Sequence, residues 1–462
     1  MFEEDSKDLF ALDSKVIVEN AVIQTVKNVI TIGQEQYNTF VEERFEKRTK
    51  EVTSVISKDK LPLFKSPLEQ KSDKKKVQVA ALKDDCALFS RLYIACQSRE
   101  GNFQEFFKHE NHPWPPSLAQ ASRLREGQKS DLVKCMEKAS APTAESPEVD
   151  VAILDGAVVV QMTSPGAART FQEYADNVFM PYIMKQLQPV KGVDIIWDVY
   201  RQDSLKAATR EKRGSGTRRR VTSSSQIQKN WKRFLRSSEL FHFLAKQVES
   251  CHVEGKELCT TYKEHVLSSP RRDYMEDCTH EEADTRIMLH VYIASQCGYR
   301  KVMITTIDAD VVVLAVSKMQ DIDVDELWIA FGTGKHFRYL ATHDIAAQLG
   351  PQKAKALPML HALTAWDTVS FFSGKGKRTA WDTWSVFPAV TDELADLSSV
   401  PESIPDDYMP LIERFVVLLY SRTSTALTVN EARQELFSKK SRAIENIPPT
   451  QAALLQHTKR TV

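Results

Sequence analysis

Acidic side chains stand at or just beyond the ends of three apolar runs in this 462-residue sequence. The runs are AILDG, IIWDV and TIDAD. Further acids lie near the start of HEEADTR and directly after LHALTAW. Carboxylates brought together repel one another and raise one another's pKa values, and divalent cations remove that repulsion. Mg²⁺ and Mn²⁺ prefer oxygen ligands, and a pair of such ions can promote attack of water on a phosphodiester. The pattern therefore predicts a site for one or two Mg²⁺ or Mn²⁺ ions, held by Asp155, Asp198, Glu282, Asp284, Asp308, Asp310 and Asp367.

Each acid taken singly also has an ordinary structural explanation. Thr279 and Glu282 have the spacing of a helix capping box, and acids favour helix N-termini. Asp155 precedes Gly156, which is typical of a turn. The metal-site hypothesis depends on several acids converging at one edge of a sheet.

The elements that must position these acids alternate between strands and helices. We predict buried strands at 149–162, 193–198 and 301–307, followed by two more in ELWIAFGT and HFRYLAT. Helices are predicted at 170–187 and 280–296, from the basic segment to about 268, and over most of the chain beyond 352. This order predicts an α/β fold with a three-layer, mainly parallel sheet. Sites in such sheets form at the carboxyl ends of the strands.

Composition shifts suggest a domain organisation around this sheet. We predict a variable leader at 1–80, a small helical region at 84–140, an α/β core at 149–345 with a basic helical insertion at 201–270, and a helical C-terminal region at 346–462. The formal net charge is zero, so contact with nucleic acid would need local charge. The seven cysteines include no CxxC pair, which favours a reducing intracellular compartment over a disulfide framework or zinc knuckle. No apolar run is long enough to predict a membrane span.

In the order of its acids, the sequence resembles the PIN-like, structure-specific 5′-nuclease superfamily, which includes flap endonuclease, XPG and asteroid-type proteins. Asp155 and Asp198 match that family's first and second strand aspartates, and Glu282-Ala283-Asp284-Thr285 matches its E-A-E-A motif. Asp308-Ala309-Asp310 matches its D-x-D, and Asp367 in TAWDT matches a late aspartate found in a G-x-D context. The resemblance implies a PIN-like fold and a Mg²⁺- or Mn²⁺-dependent nuclease in which Lys206 and Arg213 stabilise the transition-state phosphate. It covers about residues 150–380.

Residues 84–462 also resemble an uncharacterised, multi-copy animal family whose members look mobile-element-derived. The motifs that carry this likeness are FSRLYIACQ, EFFKHEN, WDVYR, HEEADTR, GKGK and PPTQAALLQHTKR.

A basic stretch at 201–236 carries twelve lysines and arginines against two acids. Such a stretch predicts salt-dependent contact with phosphates, and Trp231 could stack on bases of a single strand. The alternatives are a solvated loop, a nuclear-localisation patch, or aromatics buried in a core. The residues predicted to contact nucleic acid are Arg210, Arg218, Arg219, Arg220, Lys229, Trp231, Lys232, Arg233, Lys375 and Lys377.

Two functional hypotheses remain open from the sequence. The first is a metal-dependent phosphodiesterase acting on DNA or RNA. The second is a catalytically weak PIN-like scaffold that binds nucleic acid or protein. The sequence does not determine whether DNA or RNA is the substrate, or the oligomeric state.

Overall fold

The structure is a computed structural model. It describes residues 20–54, 56, 88, 91–92, 94–95, 98–99, 101–110, 112–120, 123–199, 221–227, 231, 238–269, 278–366, 368–439 and 444–462. The chain forms two compact units: Met1–Arg99 with Glu110–Trp114, and Glu100–His109 with Pro115–Val462. In the first unit, helix α1 (Asn20–Val41) continues into a π-helical turn at Glu42–Glu46. The acids and the sheet all belong to the second unit.

The second unit is built on a seven-stranded, mainly parallel sheet. Its strands are β3 (Val151–Asp155), β4 (Gly192–Ile196), β5 (Glu257–Tyr262), β6 (His265–Ser269), β7 (Lys301–Thr306), β8 (Glu326–Phe331) and β9 (Arg338–Ala341). Earlier in the chain, β1 (Ala119–Gln120) and β2 (Arg123–Leu124) form a separate two-stranded ribbon. The spatial order is β6-β5-β4-β3-β7-β8-β9. The five inner strands run parallel, and β6 and β9 are antiparallel edges. The predicted α/β fold with a mainly parallel sheet is confirmed.

Helices flank the sheet, and the longer ones follow its strands. In the sheet region they are α4 (Gly156–Met162), α5 (Phe171–Tyr174), α6 (Met180–Leu187), α7 (Ser238–Glu249), α8 (Ala283–Gln296), α9 (Ala309–Lys318) and α10 (Thr342–Leu349), with a π-helical turn at Ala175–Phe179 joining α5 to α6. Earlier in the chain lie α2 (Phe103–Phe107) and α3 (Ser130–Met136). Among the described residues, no helix is both long and apolar enough to cross a membrane.

Beyond the sheet, the elements in the described part of the chain are helical. They are α11 (Pro351–Leu363), α12 (Lys377–Val386), α13 (Thr391–Leu397), α14 (Tyr408–Tyr420), α15 (Val429–Lys439) and α16 (Gln451–Thr461), with single 3-10 turns at Gly334–His336, Pro388–Val390 and Ile444–Asn446.

The two faces of the sheet are buried by different helices. Side chains alternate between faces along a strand, and Ala152, Val193 and Ile195 pack in one cluster with the aromatic residues of α5 and α7. Residues of the opposite parity, such as Asp194, face α8 (for example His290). Every residue of β3 and β4 is buried. Strands buried on both faces lose the polar alternation of an exposed sheet and appear as continuous apolar runs.

Two predictions of secondary structure are wrong. The run at 149–162 is a strand only to Asp155, and its second half is helix α4. Asp155 caps that helix by accepting a hydrogen bond from the Val158 amide at 3.2 Å. Periodicity cannot separate a buried strand from a buried helix when both are apolar.

The second error is the helix predicted up to about 268, where the structure has the hairpin of β5 and β6. Its turn consists of Lys263 and Glu264, since Tyr262 pairs with His265. Lys263 has φ of 53°, the left-handed conformation that two-residue hairpin turns need. Neither turn residue is Gly, Asn or Asp, so the usual hairpin signal is missing.

Candidate metal centre

Three aspartates meet at the carboxyl edge of the sheet, where β7 ends and helices α8 and α9 begin. Asp284, Asp308 and Asp310 each offer one carboxylate oxygen, and these oxygens lie within 4.8 Å of one another. Asp310 is buried, and the other two are half-buried. The cluster therefore holds three acidic groups close together at a site with little access to solvent.

The strand-to-helix junction explains why two acids stand two residues apart in an apolar run. Strand β7 stops at Thr306 and helix α9 starts at Ala309. Asp308 is the N-cap, and its Oδ1 accepts a hydrogen bond from the Asp310 amide at 2.9 Å. The Asp308 amide donates to Thr306 Oγ1 at 3.1 Å. The apolar residues on either side thus belong to two elements, and both carboxylates lie at the sheet edge.

Asp155 is linked to this junction from the neighbouring strand. Its Oδ2 accepts a hydrogen bond from the Thr306 hydroxyl at 3.2 Å. Burial, with the negative charge of Asp198, raises the pKa of Asp155 to about 7. The neutral and ionised forms of this acid are therefore both well populated near neutral pH.

Asp198 and Glu282 frame the start of helix α8. Asp198 Oδ1 accepts a hydrogen bond from the Ala283 amide at 2.9 Å, and the Val199 amide donates to the Glu281 carbonyl at 2.8 Å. Glu282 is the N-cap residue, but its side chain makes no capping hydrogen bond. The predicted capping box with Thr279 at the cap is therefore wrong, since the helix starts after Glu282.

The pKa of Asp284 reflects its burial and the negative charges that lie near it. Burial and the charges of Asp308, Asp310 and Asp155 raise its pKa well above the ordinary value. A cation among these carboxylates would offset the repulsion that contributes to that rise. The donor atoms are all carboxylate oxygens, and Mg²⁺ and Mn²⁺ prefer oxygen ligands. The residues present therefore fit such an ion.

Basic and aromatic side chains surround the carboxylate of Asp310. Its Oδ2 accepts hydrogen bonds from Lys129 Nζ at 2.7 Å and Trp366 Nε1 at 2.8 Å. Its Oδ1 lies 2.9 Å from His361 Nε2. Burial opposes ionisation, but the His361 and Lys129 hydrogen bonds and charges hold the pKa of Asp310 well below its usual range.

The sequence analysis missed Lys129 and His361. Lys129 directly precedes α3 in a segment with no recognisable motif, and it reaches Asp310 across 181 residues of sequence. His361 lies in the last turn of α11. His361 lies in the apolar run LHALTAW before Asp367, and a histidine in such a run could have been noticed in the sequence. Lys129 has no comparable signal.

Lys377 is a structural residue, and its predicted contact with nucleic acid is wrong. The side chain is buried, and Nζ donates to the carbonyls of His361 and Ala365 and to Thr364 Oγ1. Burial lowers the pKa of Lys377 well below its ordinary value. It fixes the loop that follows α11, in which Ala365 adopts φ of 134°.

Trp231 and Lys375 were also predicted to contact nucleic acid. The Trp231 ring packs against Tyr174 with centroids 4.9 Å apart, beside the main apolar core. The core alternative is therefore the one observed for Trp231. Lys375 is half-buried, and its ammonium lies 5.1 Å from the Tyr420 ring centroid. It lines a cavity of about 270 Å³ with Ser373, Gly374 and Asn446.

The remaining predicted site residues lie outside the described residues. They are Asp367, Lys206, Arg213, Arg210, Arg218, Arg219, Arg220, Lys229, Lys232 and Arg233.

A second group of metal-ligand residue types lies inside the sheet. Asp194, Cys259 and His290 offer ligand atoms within 4.8 Å of one another, and all three are buried. Asp194 and Cys259 are register partners on β4 and β5. His290 Nδ1 donates to Asp194 Oδ2 at 2.7 Å. This contact fastens α8, which carries Asp284, to the strand that leads to Asp198.

No protein-family model matches this sequence, and no curated protein sequence matches it. Several solved structures are similar to it, and two of them are described here. One is a bacteriophage T5 flap endonuclease in a pseudo-enzyme–product complex with DNA and metal ions, with 12% identity and a TM-score of 0.34, covering 67% of this chain and 99% of that chain. The other is the catalytic core of Rad2 with a DNA substrate, with 13% identity and a TM-score of 0.33, covering 72% of this chain and 99% of that chain. The functional argument therefore depends on the side chains of the acidic edge.

Proposed function

We propose that this protein is a metal-dependent phosphodiesterase that hydrolyses DNA or RNA. The observation that carries the proposal is the convergence of Asp284, Asp308 and Asp310, from the starts of two helices, beside Asp155 and Asp198 at the ends of two strands. Several of these carboxylates raise one another's pKa values. That cost is expected of a site that a divalent cation completes.

The acids divide into ligands and positioning groups. Asp155, Asp284 and Asp308 would hold one or two Mg²⁺ or Mn²⁺ ions, with Glu282 and Asp367 acting directly or through water. Asp198 fixes the start of α8 through the Ala283 amide, and Thr306 joins Asp155 to the Asp308 turn. A bound ion would activate a water and stabilise the leaving oxygen of the phosphodiester.

A polyanionic substrate suits the predicted basic stretch. Lys206 and Arg213 would stabilise charge on the phosphate, and the arginines and lysines at 210–233 would bind neighbouring phosphates. We extend the proposal to a PIN-like core at 149–345, with the regions at 1–80, 84–140 and 346–462 around it. Nuclear location and membership of a multi-copy, mobile-element-derived family remain predictions.

The test is cleavage of labelled 5′-flap, single-stranded and duplex DNA, and of RNA, with Mn²⁺ or Mg²⁺. Asp308→Asn keeps the size of the side chain and its ability to cap a helix, but it removes a charged ligand. Asp344→Asn is the matched control: Asp344 is exposed in the first turn of α10, which follows antiparallel β9 and so starts at the opposite edge of the sheet. We expect metal-dependent cleavage by the wild type and Asp344→Asn, and its loss in Asp308→Asn.

Two outcomes would contradict the proposal. Full activity in Asp308→Asn would place the chemistry elsewhere. If the wild type cleaves none of these substrates but binds them in a salt-sensitive way, and Asp308→Asn binds equally well, the protein is a nucleic-acid-binding scaffold.

A further inference from the structure

Three side chains of the protein contact the carboxylate of Asp310. A carboxylate has about four acceptor positions, and Lys129, Trp366 and His361 occupy three of those of Asp310. One of these donors is an ammonium 2.7 Å away. The charge of Asp310 is thus already balanced by a group of the protein itself.

Lys129 is held firmly but remains within reach of solvent. It is the residue before α3, and α3 packs against α9 and α12. Its side chain is 22% exposed, whereas that of Asp310 is 8% exposed. The lysine side chain is therefore partly open to solvent, whereas the acid that its ammonium contacts is buried.

The contacts around Asp310 form a support for this ammonium. His361 is buried beneath it, and the Trp366 indole donates from the loop after α11. Lys377 fixes the backbone of that loop through His361 and Ala365. Three separate segments of chain thus position one carboxylate and, through it, one cation.

The chemistry of the site calls for such a cation. A phosphodiester that approaches Asp284 and Asp308 brings negative charge to a cluster of carboxylates. An ammonium at this edge lowers that repulsion and can donate to a non-bridging phosphate oxygen, as fixed donors do where charge develops. Lys129, which carries this role here, was not among the residues predicted from the sequence.

We propose that Lys129 contacts the substrate phosphate at this edge, and that Asp310 is the positioning residue that holds Lys129 there and not a metal ligand. The inference rests on the proposed function, because it assumes a phosphodiester substrate. It assigns different tasks to the two aspartates of Asp308-Ala309-Asp310: the first binds the ion, and the second orients the lysine.

The test measures metal binding separately from cleavage. Wild type, Asp308→Asn, Asp310→Asn and Lys129→Met are titrated with Mn²⁺ and followed by the electron paramagnetic resonance signal of the free ion. We expect Lys129→Met and Asp310→Asn to keep the Mn²⁺ affinity within a few-fold of wild type, and Asp308→Asn to lose it. A loss in Asp310→Asn as large as that in Asp308→Asn would overturn the assignment of Asp310.

Cleavage then tests Lys129. We expect Lys129→Met to lower kcat by roughly 100- to 1,000-fold, the size found when one preorganised donor is removed, with partial recovery in Lys129→Arg. Asp310→Asn should show a similar loss, and the double variant should be no worse than the poorer single one, because groups acting as a unit are non-additive. Lys134→Met is the control, since Lys134 lies on the same helix and pairs with Asp131 at the surface.

Two results separate this inference from the proposed function. Wild-type kcat in Lys129→Met, with Mn²⁺ binding intact, would overturn the role of Lys129 and leave the nuclease in place. A wild type that binds no Mn²⁺ and cleaves nothing would remove the proposed function, and this inference with it. Melting curves of all variants detect any that fail to fold.

Discussion

Two groups of metal-ligand residue types in this protein differ in how the charge of their acids is balanced. Asp194, with Cys259 and His290, is closed inside the sheet and shares a 2.7 Å hydrogen bond with the histidine. Asp284, Asp308 and Asp310 lie at the edge, where burial and mutual repulsion raise the pKa of Asp284. The two groups are joined by α8, which carries His290 in its middle and Asp284 in its first turn.

This difference indicates which of the two groups still needs a cation to balance its acids. A buried ion or hydrogen-bond pair can contribute to stability or to a unique structure, but it has no further need of a ligand. An edge cluster that keeps several carboxylates near one another is destabilising in the absence of a cation, as functional sites often are. The group in the core therefore stabilises the packing of α8 on the sheet, whereas the group at the edge forms a candidate metal-binding site.

The largest effect should be on metal binding and cleavage. Asp308→Asn should lower metal-dependent cleavage by at least about 1,000-fold, equal to about 4 kcal/mol of activation free energy, because it removes a charged ligand. Cys259→Ala should leave Mn²⁺ affinity unchanged, because the core group is already closed. The check is a Mn²⁺ titration with a parallel cleavage assay; if Cys259→Ala lost the ion, the comparison would be reversed.

The next effect should be on stability, with opposite signs in the two groups. Asp194→Ala leaves His290 without its carboxylate inside the core and should lower the free energy of unfolding by about 3 kcal/mol. Asp284→Ala removes one of several repelling charges and should leave the metal-free protein as stable as the wild type, or more so. Urea unfolding in the presence of a chelator measures both, and equal losses in the two variants would contradict the distinction.

A pH experiment sharpens the comparison by using a buried histidine that has no acid beside it. His457 Nε2 donates to the Leu363 carbonyl at 2.8 Å, and burial lowers the pKa of His457 to about 4. Between that value and an unfolded pKa of about 6.5, the unfolded chain binds a proton that the folded chain does not, so stability falls as the pH falls. The contribution of His457 to the free energy of unfolding is therefore fully present above about pH 6.5. About 2 kcal/mol of that free energy should be lost at pH 5. His457→Gln, which can still donate to the carbonyl, should remove this part of the pH dependence of urea unfolding.

The smallest effect should come from the loop that supports Asp310. Ala365 has φ of 134°, a conformation that favours glycine. Ala365→Gly should raise the free energy of unfolding by about 1 kcal/mol, since relief of backbone strain exceeds the added entropy of the unfolded chain. Thermal melting measures the change, and a lower melting temperature would mean that the loop relaxes without strain.

Much of the fold could be predicted because the apolar runs of β3, β4 and β7 are buried on both faces and stand out in the sequence. The aspartates at their ends could be predicted for the same reason. Lys129 could not, because its contact with Asp310 depends on how α3 packs against α9, which no local pattern encodes. The burial of Lys377 could not be predicted for a related reason: a lysine next to glycines is typical of a solvated turn, and only the tertiary structure shows the carbonyls to which it donates.

Asp155 and Gly156 illustrate the limit within a single element. A Cβ on Gly156 would lie 2.4 Å from the Trp197 ring, so this glycine is required by the packing of the residue before Asp198. The sequence suggested a turn at this dipeptide, which is partly right: the chain does turn there, from strand into helix.

The hydrogen bond between Trp366 and Asp310 gives the protein an intrinsic optical probe. The indole is 37% exposed, and its Nε1 lies 2.8 Å from the carboxylate that faces Lys129. Tryptophan emission responds to charge and water near the ring, so a paramagnetic ion or a phosphate arriving at this edge should alter the fluorescence of Trp366. Subtracting the spectrum of a Trp366→Phe variant would isolate that signal, and events at the acidic edge could then be followed in real time without a label.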